Sequence, residues 1–402
     1  MRVNSKTYSV KDLLAELRQL APLAQLRSDS RAVQMGDIFF AYPIPGSGGD
    51  GRQFIADAIA RGAAAVVYEM QDFDDSSITA PQFAVVNLIQ ELGVIAHAWY
   101  QRVDSDIFGI AVTGTNGKTS CSQWIAKALS LNDKACAVIG TLGVGTYKDG
   151  ILAHLEETGF TTPDALRLQT YLATLPAQAV TALAIEASSI GLHQGRLNGL
   201  AIDVALFTNF SRDHLDYHGS LAEYARAKEM LFSRSVCSSK LKAAVLNLDD
   251  VMGVELARNL KRDRPELTVL GYGIVGDSDG VSLAEVPTLL ASQLRTTHAG
   301  TSFFVDSPYG TGLIKTQMIG RFNVSNVLGV LGVLLQSGVT WDAAVTTLEK
   351  LQSVPGRMQQ LGSNGQAMVV VDYAHTPDAL EKTLETLQLL AKERQGELWC
   401  VF

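Results

Sequence analysis

The chain has 402 residues, 47% of them hydrophobic and 18% charged, which excludes a disordered profile and leaves room for two or three domains. A formal net charge of −8 without a dense basic run disfavours nucleic acid as a partner, so anionic ligands must be held by local positive sites. The N-terminus lacks a signal-peptide core, the longest late apolar run (residues 327–335) is too short to span a bilayer, and the four cysteines Cys121, Cys136, Cys237 and Cys400 show no paired spacing; a reducing cytoplasmic setting, away from membranes, is expected.

Residues 1 to about 103 read as a small α/β unit. Apolar period predicts helices over 10–20, 53–61 (ended by Gly62) and 88–100, with strands over 37–42, 63–68 and 82–87. Ser28-Asp29-Ser30-Arg31 precedes the first clear strand. From Pro43 to Arg52 the glycines are too many for regular structure, so a loop is expected there, either a ligand contact or merely a connection. Polar residues 101–106 make a linker.

An apolar run over 107–112 then reads as a buried parallel strand. Gly114-Thr115-Asn116-Gly117-Lys118-Thr119-Ser120 follows, and residues 122–129 read as a helix. Strand, glycine-rich turn, Lys-Thr and helix together form a phosphate cradle. Glycines let backbone N–H groups turn inward, and the helix N-terminus adds free donors and partial positive charge. Lys118 would sit against the β- and γ-phosphates of a nucleotide, and the Thr119 hydroxyl would ligate Mg²⁺. Val112 stands where the common pattern has its first glycine, so a shortened loop is expected.

The next strand covers 135–139, followed by a second glycine-rich turn at 140–145. Thr161-Thr162-Pro163 opens a helix over 164–173. A strand over 180–185 ends in Glu186-Ala187-Ser188-Ser189. A carboxylate at that end faces the ligand edge of a parallel sheet, as a second Mg²⁺ contact or as the partner of an arginine. The strand over 204–207 runs into Arg212, Asp213, His214, Asp216 and His218, a polar density that points to metal or phosphate. A helix over 221–232 carries Lys228, and a strand over 243–247 closes in Asp249-Asp250. Residues 268–272 and 302–308 read as strands of a peripheral antiparallel section. Gly320 to Asn323 cap an apolar helix over 324–335, with Asn323 read as its N-cap. After a helix over 341–351 come Arg357, a strand over 367–371 ending in Asp372-Tyr373-Ala374-His375, a helix over 379–390, and a further strand beginning at 397. Two strands and one helix cannot bury both faces of a parallel sheet, so an incomplete third unit, its C-terminal half lacking, is expected.

These motifs resemble the Mur ligases along nearly the whole chain: SDSRAVQMGDIFFA with DGRQFI, TGTNGKT, TTPDAL, EASSIGLHQGR, FTNFSRDHLDYHGSLAEYARAK, GRFNVSN, PGRM and VVDYAHTPDAL. GTNGKT alone would mark only the wider superfamily. The resemblance implies an α/β protein of three domains: a UDP-binding domain (1–103), a central P-loop ATPase built on a parallel sheet (104–352), and the start of a Rossmann-like ligase domain (353–402). It implies a monomer and an ATP-driven amide ligase that adds a third amino acid, meso-diaminopimelate, to UDP-N-acetylmuramoyl-L-alanyl-D-glutamate. By motif position, Ser28 and Ser30 flank the UDP pocket near the loop 47–50, and Thr161, Thr162, Ser188, Gln194 and Arg196 hold the muramoyl-dipeptide. Glu186, His214 and Thr119 match Mg²⁺ ligands, Lys228 the lysine that becomes a carbamate beside the metal, and Asn323, Arg357, Asp372 and His375 nucleotide contacts. Ile190 stands where the motif carries histidine, with His193 three residues on. A lysine-adding or folylpolyglutamate-type ligase is the alternative within the superfamily; the N-terminal SDSR and DGRQFI motifs argue against the folate enzyme. A non-catalytic binder of nucleotide or UDP precursor is the alternative outside it.

Overall fold

Three sheets, of four, eleven and two strands, carry the described part of the chain in this computed structural model, which covers residues 7–46, 48–101, 106–233, 240–276, 285–297, 299–362 and 367–401. The first sheet is all parallel and contains β1 (Leu26–Arg27), β2 (Ile38–Ala41), β3 (Ala65–Glu69) and β4 (Gln82–Val85). Side chains alternate across it. Ile38 and Phe40 pack with Leu13 and Leu17 of α1 (Val10–Leu20) and Leu92 of α3 (Leu88–Trp99); Phe39 and Ala41 pack with Ile55 and Ala58 of α2 (Ile55–Ala60). The helix expected over 53–61 is split. Asp50 accepts the Arg52 N–H at 2.9 Å and winds Gly51–Phe54 into a 3₁₀ turn, and α2 starts only after it.

In the eleven-stranded sheet, the strands in chain order are β5 (Phe108–Thr113), β6 (Cys136–Gly140), β7 (Gly143–Lys148), β8 (Ile151–Glu156), β9 (Ala182–Glu186), β10 (Val204–Phe207), β11 (Ala243–Asn247), β12 (Thr268–Ile274), β13 (Thr288–Thr297), β14 (Gly300–Ser307) and β15 (Gly310–Thr316). Their spatial order is β15-β14-β13-β12-β11-β10-β5-β9-β6-β7-β8. Strands β6 to β13 in that order run parallel, and both edges finish in antiparallel hairpins. The central strands read as unbroken apolar runs because helices cover both faces. Ile110, Val112, Val204 and Leu206 face a cluster containing Trp124 and Ile125 of α4 (Lys118–Ser130) and Val327 and Leu331 of α10 (Arg321–Gln336). Ala111, Ala205 and Phe207 face the other way, toward Leu168 of α5 (Ala165–Leu172), Leu192 of α6 (Ser189–His193), and Leu256 and Leu260 of α9 (Val251–Asp263). Burying one such Leu is worth about 1.5–3 kcal/mol. The short α7 (Leu215–His218) and α8 (Leu221–Glu229) follow β10, and α11 (Trp341–Leu348) follows α10. Beyond it, β16 (Gln359–Leu361) and β17 (Val369–Val371) pair antiparallel, and α12 (Pro377–Glu393) packs Leu387 and Leu390 against Ile319 and Met358.

Several expectations need correcting. The glycine-rich stretch after β6 is no mere turn: it enters the hairpin β7–β8, whose outer strand is mostly exposed and so lacks an apolar alternation. Asp250 does not close a strand but caps α9, accepting the Met252 N–H at 2.9 Å. Residues 268–272 belong to the parallel part of the main sheet, because β12 pairs with β11. Asn323 is not an N-cap: α10 already begins at Arg321, and Asn323 Nδ2 donates to Ile319 O at 2.9 Å. Residues 397–401 form no strand; their backbone pairs with no strand among the described residues, and Trp399 is exposed. Part of the linker, residues 102–105, lies outside the described residues, as do Ser47 and Cys237. No helix among the described residues is long and apolar enough to cross a membrane.

Candidate functional site

Four residues separate β5 from α4, and two are glycines that the turn requires. Gly114 has φ +143° and Gly117 φ +88°. A Cβ on Gly114 would collide with the Thr208 hydroxyl, and one on Gly117 with the Asn326 amide. The end of β10 pins this short loop from the side. Thr115 N–H donates to Asn209 O (2.8 Å), Asn116 N–H to Asn209 Oδ1 (2.9 Å), and Thr208 Oγ1 to Asn116 O (2.6 Å). The neighbouring strand end thus does what a longer loop would otherwise do for itself. The site also sits where the strand order reverses around β5, the usual ligand crevice of such sheets.

Glu186 ends β9 opposite Val112 and is fully buried. It accepts from Thr119 Oγ1 (3.1 Å), from Thr141 N–H (2.8 Å) and from Thr141 Oγ1 (3.2 Å). Burial pushes its carboxyl above the usual range; Lys118 and the Thr141 N–H pull it back. Gly140 lies so close that any Cβ there would run into Glu186 Oε1. Sequence reasoning misses Gly140 and Thr141 as site residues, although a Gly-Thr pair at the C-terminal end of a parallel strand is a readable signal.

Two amines meet under the loop. Lys118 Nζ donates to Gly114 O (3.0 Å) and Thr115 O (2.8 Å), and Lys228 Nζ, from α8, donates to Gly114 O at 2.7 Å. Lys228 is 1% exposed, and its amine stands 4.3 Å from the centre of the Tyr224 ring. Burial drives its pKa well below the ordinary lysine value, and the nearby Lys118 lowers it further, with Asp213 opposing. Burial lowers Lys118 as well, against the pull of Glu186 and Asp213. His214 caps α7 with left-handed backbone and lies 3.5 Å from Asp213. Burial lowers its pKa; Asp213 opposes, while Lys118 and Lys228 add to the lowering, so the neutral ring is favoured. Glu186, His214 and Lys118 therefore share one rim of the sheet.

Beside this rim opens a cavity of about 480 Å³. Asn116, Gly117, Ser120, Asn323, Arg357, Asp372 and His375 line it, whereas Gly114, Thr115, Lys118 and Thr119 are not in its lining. Arg357 Nη2 donates to Thr119 Oγ1 at 3.1 Å, and its guanidinium lies 4.7 Å from the Tyr373 ring centre. Asp372 accepts the Met358 N–H at 2.8 Å and so holds the turn that carries Arg357. His375 Nδ1 lies 2.9 Å from Tyr373 O.

A second cavity, of about 500 Å³, opens between the first sheet and α6–α7. Ser28, Gln194 and Arg196 line it, with Tyr217, which sequence reasoning missed. Ser30 does not: it is buried in the 3₁₀ turn Ser30–Ala32, capped by Asp29. Thr162 and Ser188 lie behind the wall and tie it to β9. Thr162 Oγ1 donates to Glu186 O (2.7 Å) and lies 2.9 Å from Ser188 Oγ, while Arg196 Nη1 donates to Thr162 O (2.6 Å). Thr161 Oγ1 lies 3.1 Å from Thr141 Oγ1. Ile190 gives the cavity an apolar wall, and the exposed His193 is not in the lining.

The Mur ligase middle domain family matches residues 112–334, and the Mur ligase, glutamate ligase domain family matches residues 356–402. A UDP-N-acetylmuramoyl-L-alanyl-D-glutamate–2,6-diaminopimelate ligase of Janthinobacterium sp. (strain Marseille) is 49% identical over 98% of this chain and 76% of its own length. Its namesake from Ralstonia nicotianae is 46% identical over 94% of this chain and 72% of its own length. A solved structure of a ligase of the same name superposes with a TM-score of 0.75 at 35% identity, covering 92% of this chain and 74% of that one.

Proposed function

The chain belongs to the Mur ligase family, and from that premise we propose that it joins meso-diaminopimelate to UDP-N-acetylmuramoyl-L-alanyl-D-glutamate at the expense of ATP, a step in peptidoglycan synthesis. A carboxylate does not condense with an amine unaided, because an oxide is a poor leaving group. Transfer of the γ-phosphoryl of ATP to the side-chain carboxylate of D-glutamate makes an acyl phosphate; the incoming amine attacks it, and phosphate departs. Both partners of the first step are anions. At about 4 Å, and an effective dielectric constant of about 20, two unit charges repel by roughly 4 kcal/mol.

The roles follow from position. The N–H groups of residues 117–120 at the α4 N-terminus cradle the phosphates, since those of Thr115 and Asn116 are held by Asn209, with Lys118 beside the β- and γ-oxygens. Asn323, Arg357, Asp372 and His375 receive the rest of the nucleotide in the cavity beside them. The UDP end of the precursor lies in the second cavity, on Ser28, Gln194 and Arg196. Its dipeptide points past Thr161 toward Glu186, with Thr162 and Ser188 bracing the wall from behind. The donor types suit a hard divalent cation: Glu186 is a fully buried carboxylate whose contacts are two hydroxyls and an N–H, and His214, on the same rim, favours its neutral form; among the described residues no three carboxylate, histidine or cysteine side chains gather in one place, so phosphate oxygens would complete the set. Thr119, Glu186 and His214 would hold Mg²⁺ there, together with phosphate oxygens. When bound, the ion supplies charge neutralisation at the transferring phosphoryl group. Lys228, with its depressed pKa, offers a neutral amine to CO₂, losing a proton to become a carbamate whose anion faces the same region. The UDP-binding, ATPase and ligase units correspond to 1–103, 104–352 and 353–402, and the compartment is the cytoplasm, where ATP is at hand.

The observation that carries this reading is the buried Thr119–Glu186 contact at 3.1 Å, which joins the phosphate loop to the strand end next to it. The test is phosphate release with ATP, Mg²⁺, UDP-N-acetylmuramoyl-L-alanyl-D-glutamate and meso-diaminopimelate. Release that requires both the precursor and diaminopimelate is expected; release with L-lysine instead would reassign the amino acid, and no release with either would refute the reading.

A further inference from the structure

In the second cavity, one polar atom is arranged as a choice between two partners. Arg196 Nε and Nη2 lie 3.0 and 2.7 Å from one end of the Gln194 amide. A guanidinium can only donate, so that end is the oxygen. The other end is therefore NH₂, and it donates to Pro45 O and to the Tyr217 hydroxyl, both at 3.1 Å. Tyr217 O thus accepts from Gln194, and its single proton remains to be placed. His193 Nδ1 lies 3.0 Å from the same oxygen. The phenol proton either rests on that nitrogen or turns into the cavity that Tyr217 lines.

The surroundings hold the ring and leave the proton free to choose. The loop bends over Tyr217 at Gly46, φ +76°, where a Cβ would collide with the ring. Ile190 offers no hydrogen bond on the adjoining wall, and Ser28 Oγ lies 3.4 Å from Asp164 Oδ1. The Gln194 amide is occupied at both ends. His193 is exposed, so water can replace the phenol on its ring nitrogen at little cost.

We propose that Tyr217 is a ligand-positioning residue of this cavity: its hydroxyl, oriented by the Arg196–Gln194 pair, transfers its hydrogen bond from His193 Nδ1 to an acceptor oxygen of the bound uridine diphosphate-sugar. The assignment rests on the reading of this cavity as the UDP-precursor site. The pair His193–Tyr217 then acts as a rest position and a working position for one proton, and the loop carrying Pro45 and Gly46 is latched by the same amide that aims the phenol.

The experiment is calorimetric titration of the chain with UDP-N-acetylmuramoyl-L-alanyl-D-glutamate, for wild type, Tyr217→Phe and His193→Ala, with thermal unfolding to confirm that each variant is folded. Tyr217→Phe keeps the ring and removes the donor, and binding is expected to weaken about tenfold, as for loss of one hydrogen bond to a charged oxygen. His193→Ala removes the competing acceptor, so binding is expected to stay at least as tight as in wild type. A purely structural pair would weaken binding in both variants alike, and that result overturns the proposal, as does wild-type affinity in Tyr217→Phe. Failure of the wild-type chain to bind the precursor would instead refute the reading of the cavity on which the assignment depends.

Discussion

Lys118 and Lys228 reach the same acceptor from two different helices: the Gly114 carbonyl receives both amines, at 3.0 and 2.7 Å. Two ammonium groups sharing one oxygen in a buried place repel each other. The chain relieves this through Lys228, the more buried of the two, whose pKa burial and Lys118 together depress.

A neutral buried lysine leaves a signature in stability. Between its depressed folded pKa and the ordinary lysine value of 10.5, the unfolded chain carries a proton on Lys228 that the folded chain lacks, so folding releases it. Stability due to this residue is least below its depressed folded pKa-to-unfolded pKa window and rises with pH across that window, by up to about 1.4 kcal/mol per pH unit. Chemical denaturation from pH 7 to 9 should show wild type gaining on Lys228→Met; parallel curves would mean that the folded lysine keeps its proton.

The same residue tests the carbamate. Lys228→Ala is expected to lose most ATP-dependent ligase activity and to recover part of it with added acetate or formate. With ¹³C-bicarbonate, wild type should show a carbamate carbonyl resonance that this variant lacks. Undiminished turnover in Lys228→Ala would leave the carbamate without a role.

Glu186→Gln separates stability from function. Burial raises the Glu186 pKa, so ionising it costs the folded state, and that cost grows as pH rises above the unfolded value of 4.5. The uncharged amide should raise the melting temperature of the ligand-free protein at pH 7 while abolishing Mg²⁺-dependent phosphate release. A lower melting temperature would show that the hydrogen bonds from Thr119 and Thr141 outweigh the desolvation.

Lys118→Ala should reduce kcat on the order of a thousandfold, the scale for removing a charge aimed at a developing transition state. UDP-precursor affinity, measured by calorimetry, should be unchanged because Lys118 is not in that cavity's lining. Equal loss of precursor binding would place the amine elsewhere in the reaction.

Gly140→Ala is a small change with a specific victim. Its methyl would occupy the space of Glu186 Oε1 and push the carboxylate from Thr119. Phosphate release should fall much more than unfolding temperature, and the apparent Mg²⁺ requirement should rise. Normal Mg²⁺ dependence would show that Glu186 can move aside freely.

Local signals made much of the molecule legible. The apolar run before Gly114, the two glycines and the Lys-Thr pair specify a strand, a turn with φ > 0 and a helix entry, because each depends on residues adjacent in the chain. The amphipathic α1 and the buried strands β10 and β11 are equally local, their apolar periods matching a helix stripe and a two-sided sheet. α9 was also written in the sequence, with Asp250 as its cap and apolar residues at helix spacing, but Asp249-Asp250 reads as easily as the end of a strand. The hairpin β7–β8 carries almost no such pattern, since most of β8 faces solvent.

The chain order of residues thus determined which segments become strand, helix and phosphate turn, since those choices rest on periodicity and backbone sterics within a few residues. Only the tertiary structure decided what meets at the turn. Insertion of β9 between β5 and β6 puts Glu186 on Thr119, the rim beside β6 puts Gly140 and Thr141 against that carboxylate, and α8 brings Lys228 to a carbonyl 114 positions away in sequence. Nothing local encodes these meetings, because hydrogen bonds and burial act across space, and the spatial order of the strands is set by how both faces of the whole sheet are covered.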